Sequence, residues 1–242
     1  IAGDVGSGGA FTNSGCTIAG AVIAPVPAQV LIDFNSAYAQ YADIPCTGTL
    51  ETVYTGTTLT LPPGVYCNVA DVTFTSTTLT LDGQGDANAV WIFKIGTGGT
   101  GALTGTNFSV VMADGGQPCN VYWWVAEAAT MTDSRFIGTI LAGAAITMTA
   151  GTNTLAGRAL AKAAVTMTNA TVVGCDAISD LPYCKAKKPK KHHGHDKDKC
   201  NQGVGNGPEG CDPGNSNQGD PSSSNDELGG VPGSPGRMSG NR

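Results

Sequence analysis

Three observations in the sequence predict a mainly β fold: a parallel β-solenoid with one long α-helix along its side and a disordered C-terminal tail. A phrase containing Thr-Met-Thr recurs at Ala128–Thr132, Ala144–Thr149 and Ala163–Thr168. One segment alone changes to a helical period. The composition also changes near position 184, since no threonine lies beyond Thr171 and all three histidines follow Cys184.

The repeated phrase has about the length of one solenoid turn. Successive copies begin their threonine pairs 17 and then 19 residues apart, and each copy runs on to a glycine, Gly138, Gly157 or Gly174. A fixed period of this kind indicates coils that stack on copies of themselves. We therefore expect six threonines to share one outward surface: Thr130, Thr132, Thr147, Thr149, Thr166 and Thr168.

The first 24 residues contain short apolar runs separated by glycine, and we interpret them as the first coil or two of the solenoid. The chain opens on Ile1-Ala-Gly-Asp-Val-Gly, which reads as the middle of a strand and turn. We expect a targeting segment to be missing before it. The solenoid domain is predicted to span residues 1–184.

A single helix is predicted over residues 28–42. Apolar residues recur there at spacings of three and four, which forms one stripe on an amphipathic helix. Ile44-Pro45 ends the pattern. No second helix is predicted, so the stripe should lie against the side of the solenoid; its members are Val30, Leu31, Phe34, Ala37, Tyr38 and Tyr41.

After Cys46 the apolar residues alternate with polar ones, as in strands. The clearest examples are residues 57–61, 72–75 and 78–82, the last ending in the turn signal Asp82-Gly83. Residues 89–95, 107–112 and 120–125 are more continuously apolar, which predicts strands buried on both sides.

The overall composition excludes several classes of protein. Only 13% of the 242 residues are charged, the net charge is −6 and 35 residues are glycine, which disfavours a helical bundle or a nucleic-acid binder. Eight cysteines without a C-x-x-C motif favour disulfides or buried thiols in a secreted protein and disfavour zinc, while their connectivity stays open. No apolar run is long enough to span a bilayer.

Catalytic and cofactor motifs are weak. Residues 1–184 contain no histidine, the usual general base and metal ligand. Carboxylates mostly adjoin glycine or asparagine, where they are typical of turns. Gly96-x-Gly98-x-x-Gly101 matches a dinucleotide fingerprint, but no helical pattern follows it, so a solenoid corner is the better interpretation. The sequence predicts no enzyme, no metal site and no cofactor.

Residues 185–242 hold almost no large apolar groups and are predicted to be a disordered, low-complexity tail. A lysine- and histidine-rich cluster spans residues 185–199. Such a cluster is usually solvated, and it also allows a salt-sensitive contact with an anionic surface.

Several longer motifs resemble the microbial ice-binding protein family: Leu61-Pro-Pro-Gly-Val-Tyr, Leu79-Thr-Leu-Asp-Gly-Gln-Gly-Asp-Ala-Asn-Ala-Val-Trp-Ile-Phe-Lys-Ile-Gly, Cys119-Asn-Val-Tyr-Trp-Trp-Val and Gly157-Arg-Ala-Leu-Ala. The resemblance covers about residues 1–175, and it implies that a first strand region is missing before Ile1. It implies a discontinuous, right-handed β-solenoid of triangular section, flanked by one long helix. It also implies that a flat free face adsorbs to ice.

We therefore expect a secreted, monomeric protein whose partner is an ice crystal surface with its ordered water. Thr147, Thr149, Thr166 and Thr168 are the first candidates for contact, and Thr130, Thr132, Thr152, Thr154 and Thr171 are secondary candidates. Asp133 or Arg135 on the same face would disturb a flat array. The alternatives are an extracellular adhesin or structural module whose tail contacts cell wall or matrix, and a polysaccharide-active solenoid.

Overall fold

Short parallel strands build almost all of the part of the protein that the computed structural model describes, residues 1–175. The predictions for the tail and its lysine- and histidine-rich cluster lie outside these residues. In chain order the elements are β1 (Val5–Gly6), β2 (Val22–Ile23), α1 (Ala28–Asp43), β3 (Gly48–Thr49), β4 (Val53–Thr55), β5 (Thr58–Leu61), β6 (Gly64–Asn68), β7 (Val72–Thr75), β8 (Thr78–Asp82), β9 (Trp91–Ile95), β10 (Leu103–Thr106), β11 (Ser109–Ala113), a 3-10 turn (Pro118–Asn120), β12 (Val121–Val125), β13 (Ala129–Thr132), β14 (Arg135–Ala142), β15 (Ile146–Met148), β16 (Asn153–Ala161), β17 (Val165–Met167) and β18 (Ala170–Val173).

The strands from β3 onward wind into a coil with three faces. The threonine face consists of β4, β7, β10, β13, β15 and β17, each hydrogen-bonded to the next in that order. The second face consists of β5, β8, β11, the first parts of β14 and β16, and β18. The helix face consists of β3, β6, β9, β12 and the later parts of β14 and β16. This confirms the predicted parallel β-solenoid.

Glycine makes the corner between the second face and the helix face possible in the last coils. Gly138 and Gly157 are register partners in β14 and β16, and Gly138 has a φ of 108°. A Cβ atom on Gly157 would overlap the carbonyl oxygen of Gly138. These two strands therefore bend around a corner without interrupting their pairing.

The beginning of the chain stacks on the end of the solenoid, so the prediction that it forms the first coil or two is wrong. The Ala2 N–H donates to the Val172 carbonyl at 2.9 Å. The Val5–Gly6 strand then pairs with Val22–Ile23. Edge strands leave backbone groups that another segment can pair with, and here the N-terminal segment pairs with the last coil.

Helix α1 returns the chain from this end of the solenoid to the first coil. Its 16 residues span about 24 Å, close to the height of six stacked strands. Tyr38 stacks on Trp124 with ring centroids 5.0 Å apart, and the Trp124 indole donates to the Tyr38 carbonyl at 2.9 Å. The predicted stripe is confirmed at its C-terminal half, whereas Val30 and Leu31 remain exposed by 48% and 58%.

A buried lysine fixes the far end of this helix. The Lys94 amine donates to the carbonyls of Ala42 and Ile44 at 2.6 Å each. Burial lowers the pKa of Lys94, and the nearby Asp43 carboxylate opposes that shift. A cation at a helix C-terminus satisfies carbonyls that have no partner within the helix.

The interior is filled by stacked aromatic and aliphatic side chains. Phe74 stacks on Phe108 with centroids 4.3 Å apart, and Phe93 stacks on Trp123 at 4.0 Å. Every residue of β9 is buried, as predicted. The same prediction is wrong for β11, where only Val110 is buried, because the outward side chains of this strand lie on the second face, which the described helix does not cover.

Disulfides close both ends of the coiled region. Cys46–Cys67 joins the segment after α1 to β6, and Cys119–Cys175 joins the 3-10 turn to the segment directly after β18. Among the described residues Cys16 is an exposed free thiol. The pairing itself was left open by the sequence.

Candidate functional site

The threonine face presents two straight columns of hydroxyl-bearing side chains. Its strands pair residue by residue, so outward positions align from coil to coil. The first column contains Val53, Thr73, Thr104, Thr130, Thr147 and Thr166. The second column contains Thr55, Thr75, Thr106, Thr132, Thr149 and Thr168. Eleven of these twelve positions are therefore threonine.

The residues that alternate with these threonines along each strand point inward and pack in the core. The residue before the first-column threonine is fully buried in four coils, as Val72, Leu103, Ala129 and Ile146. Met131 and Met148, each between the two threonines of its strand, are fully buried as well. Successive side chains of a strand lie on opposite sides, so threonine occupies every outward position of the two columns except that of Val53. The face is uncharged along both columns.

The two columns form a rectangular grid. Outward side chains on one strand are about 6.6–6.8 Å apart, and stacked parallel strands are about 4.7–4.9 Å apart. Because the register does not slip between β7 and β17, the rows stay aligned over the whole face.

A turn with positive φ ends the threonine face in every coil. The residue directly after the second-column threonine adopts a left-handed conformation: Gly56 at 62°, Ser76 at 48°, Asn107 at 50°, Asp133 at 47°, Ala150 at 58° and Asn169 at 50°. Glycine, asparagine and aspartate adopt this conformation at the lowest cost. These residues line one edge of the face, which we call the rim.

This turn also decides where the two suspected charges lie. Asp133 is a rim residue, and its Oδ1 accepts from the Thr152 N–H at 3.1 Å. Arg135 opens β14 on the second face, where it is the register partner of Ser109. Neither residue belongs to the two threonine columns.

The predicted candidates divide between three places. The six members of the Thr-Met-Thr phrases lie together on the threonine face. Thr152 is exposed in the corner after the rim. Thr154 and Thr171 are register partners on the second face, beside Arg135, so the structure does not bring them to the threonine columns.

Five threonines of the face were missed by the sequence prediction. Thr55, Thr73, Thr75, Thr104 and Thr106 extend the columns into the first three coils. Their strands read Val-Tyr-Thr, Val-Thr-Phe-Thr and Leu-Thr-Gly-Thr, and none of them contains the methionine of the later phrases. An apolar-Thr-x-Thr pattern would have found two of these three strands.

Among the described residues, the side chains with a clearly shifted pKa lie away from the threonine face. Burial raises the pKa of Tyr38 in α1 and that of Tyr66 in β6. Within residues 1–175 no three histidine, cysteine or acidic residues are placed to hold a metal ion. No helix within these residues is both long and apolar enough to cross a membrane.

Comparison with known proteins identifies the family. A family profile described as ice-binding-like matches residues 4–173. An ice-binding protein of Nostoc sp. (strain HG1) is 40% identical over 164 residues, which are 67% of this chain and 57% of that protein. The chain belongs to the ice-binding-like family.

Other members of the family agree in sequence and in fold. Ice-binding protein 1 of Shewanella frigidimarina (strain NCIMB 400) is 40% identical over 96 residues, 39% of this chain and 10% of that protein. The chain thus spans less than two thirds of either relative. The crystal structure of an ice-binding protein from an Antarctic biological consortium has a TM-score of 0.60 at 30% identity, covering 71% of this chain and 81% of that one.

A glycosylated ice-binding protein from an Arctic yeast has a TM-score of 0.61 at 27% identity, covering 72% of this chain and 84% of that one. The family and the solenoid that the sequence motifs implied are therefore confirmed.

Proposed function

We propose that this protein binds ice by adsorption through its threonine face. The observation that supports the proposal is the alignment of eleven threonines in two uncharged columns. The ice-binding names of its relatives point to the same partner. Adsorption needs no general base, metal or cofactor, which agrees with a face that carries only hydroxyl and methyl groups.

The proposed mechanism depends on a fixed arrangement of water. Threonine hydroxyls and methyls order an ice-like layer over the grid, and this layer merges with the crystal. Bound molecules then pin the growth front, so that ice must curve between them and further growth becomes unfavourable.

A rigid face loses little conformational entropy when it binds to ice. Immobilising a free side chain on binding costs about 0.5–1.5 kcal/mol. Threonine is stiff at χ1, and parallel pairing on both sides already fixes the strands of the central coils. Little order therefore remains to be imposed by the crystal.

The surroundings of the face support an extracellular role as a monomer. The two disulfides are typical of an oxidising compartment. A flat face that adsorbs to a crystal also needs no second subunit to complete it.

The test uses bulky substitutions on and off the threonine face. Thr147→Tyr and Thr166→Tyr should lose most thermal hysteresis and most partitioning into ice, because a ring above the grid separates it from the crystal. Thr60→Tyr is the matched control, since Thr60 is exposed on the second face. Circular dichroism should show an unchanged fold in all three.

Wild-type thermal hysteresis in both threonine-face variants would refute this site. Loss in the Thr60 variant alone would move the site to the second face. A protein that neither shapes ice crystals nor partitions into ice would overturn the proposed function itself.

A further inference from the structure

We infer that the ice contact is three columns wide but only four coils tall: a column of alanines completes it, and two carboxylates end it. This inference rests on the proposed function and specifies its site. The alanine column consists of Ala102, Ala128, Ala145 and Ala164, in the four coils that contain β10, β13, β15 and β17. The carboxylates are those of Glu51 and Asp71, in the two coils before them.

The alanines stack in register beside the first threonine column. Each lies two residues before a first-column threonine, so its side chain points to the same outward side. Backbone hydrogen bonds between the coils continue here. The Leu103 N–H donates to the Ala128 carbonyl at 2.9 Å, and the Ala129 N–H donates to the Ala145 carbonyl at 3.0 Å. The column is therefore as well ordered as its threonine neighbours.

The first two coils break this column with charge. Glu51 and Asp71 lie two residues before Val53 and Thr73, at the positions that alanine occupies in the other coils. Both carboxylates are exposed. Asp71 Oδ1 accepts from the Ala102 N–H at 2.8 Å, which holds that side chain against the border of the alanine column.

The threonine columns change at the same end of the face. Val53 interrupts the first column in the first coil, and 58% of its surface is exposed. Departure from threonine and appearance of charge thus coincide in the first coil, whereas the second coil keeps both of its threonines beside Asp71.

A carboxylate and a methyl group have opposite effects on an ice contact. An ionised carboxylate binds water strongly in its own geometry, and removing that water carries a large cost. An alanine methyl is short and uncharged, so it leaves the plane flat. The remaining contact is about 13 Å wide and 14 Å tall, from the usual spacings along and between strands.

The first experiment removes the two charges without removing their hydrogen-bonding oxygens. The double variant Glu51→Gln/Asp71→Asn should increase thermal hysteresis about 1.5-fold, if the effect grows with the apolar area engaged and the contact extends from four coils to six. Asp82→Asn is the control: it removes one carboxylate charge, keeps the acceptor for the Gln84 N–H and lies on the second face. The control should retain wild-type hysteresis.

The second experiment tests the alanine column directly. Ala145→Lys should lose most hysteresis, as Thr147→Tyr does, because a cation then projects over the grid. Ala39→Lys is the control, since Ala39 is exposed on helix α1. Thermal unfolding should show that both variants remain folded.

The outcomes separate this inference from the proposed function. If Thr147→Tyr loses activity while the charge-removal variant and Ala145→Lys both match wild type, the four-coil contact is wrong and the threonine face stands. A gain in the Asp82 control equal to that of the double variant would also overturn the inference, because net charge alone would then explain it. If Thr147→Tyr retains full activity, the proposed function fails first.

Discussion

The threonine face and the helix face are built by the same coils but present opposite surfaces. On the threonine face the outward side chains are small and alike, and nothing among the described residues covers them. On the helix face they include Trp124 and Lys94, which are 7% and 4% exposed beneath α1. The outward side chains, and not the stacked backbone, therefore determine whether a face packs against the helix or stays open to solvent.

This contrast implies a division of labour. Changes on the helix face should reduce the free energy of unfolding, because they leave cavities or unpaired groups. Changes on the threonine face should reduce ice affinity and leave stability almost intact, since no core atom is removed. The following predictions test that division, from the largest expected change in stability to the smallest.

Trp124→Ala should cost about 3–5 kcal/mol in the free energy of unfolding, the usual range for removing a buried large aromatic side chain. The change removes the stacking with Tyr38 and the indole hydrogen bond to its carbonyl. Denaturant unfolding measures the loss. Thr147→Ala serves as the comparison and should change stability by less than about 0.5 kcal/mol. Equal losses in the two variants would contradict the division.

Lys94→Met should cost about 2 kcal/mol, because two carbonyls at the end of α1 lose a charged donor. The methionine side chain fills much of the same space, so the loss reports hydrogen bonding rather than packing. Thermal unfolding measures it, and Lys162→Met is the control because that amine is exposed over the Tyr38 ring. An unchanged midpoint would show that water replaces the lysine.

Alkaline pH should weaken the packing of α1 on the helix face. Burial, with a contribution from Tyr122, raises the pKa of Tyr41 from 10.0 to about 12. The folded state therefore favours the neutral phenol, and this stabilisation is complete below pH 10 and lost as the pH rises to about 12. Burial lowers the pKa of Lys94, which has the opposite effect on the slope. Unfolding midpoints measured across this range should fall less steeply in Tyr41→Phe than in the wild type; parallel curves would exclude Tyr41 as the cause.

Thr104→Ser and Thr104→Val should alter stability least, by about 0.5 kcal/mol or less. Each removes one of the two groups that threonine offers, so their thermal hysteresis separates the methyl contribution from the hydroxyl contribution. Thr58→Ser on the second face is the control. If neither Thr104 variant loses activity, the first column does not extend to the coil that contains β10.

The predictable parts of the molecule are those with local periodicity. The Thr-Met-Thr phrases repeat closely, so the coils from β13 to β17 could be aligned from sequence. The stripe of α1 was equally clear. Pairing of the N-terminal segment with Val172 was not predictable, because it depends on contacts between the two ends of the described chain.

The sequence predicted only part of the threonine face, for a related reason. In the early coils Phe74 and Gly105 stand where Met131 and Met148 stand later, which conceals the repeat. Thr152 and Thr154 follow the second Thr-Met-Thr phrase closely in sequence. Ala150 and Gly151, both with positive φ, turn the chain before it reaches these two threonines, so they do not lie on the threonine face. A period counted along the sequence does not register such corners.

The pairing of Ala2 with Val172 has a consequence for folding. Most stacked repeats interact only with their neighbours, so such arrays can fray from their ends and can begin to fold anywhere. Here the last described coil gains its neighbour only when the segment around Ala2 pairs with it, and this contact joins residues about 170 positions apart in the sequence. We expect slow, all-or-none folding dominated by long-range contacts, with no stable shortened forms.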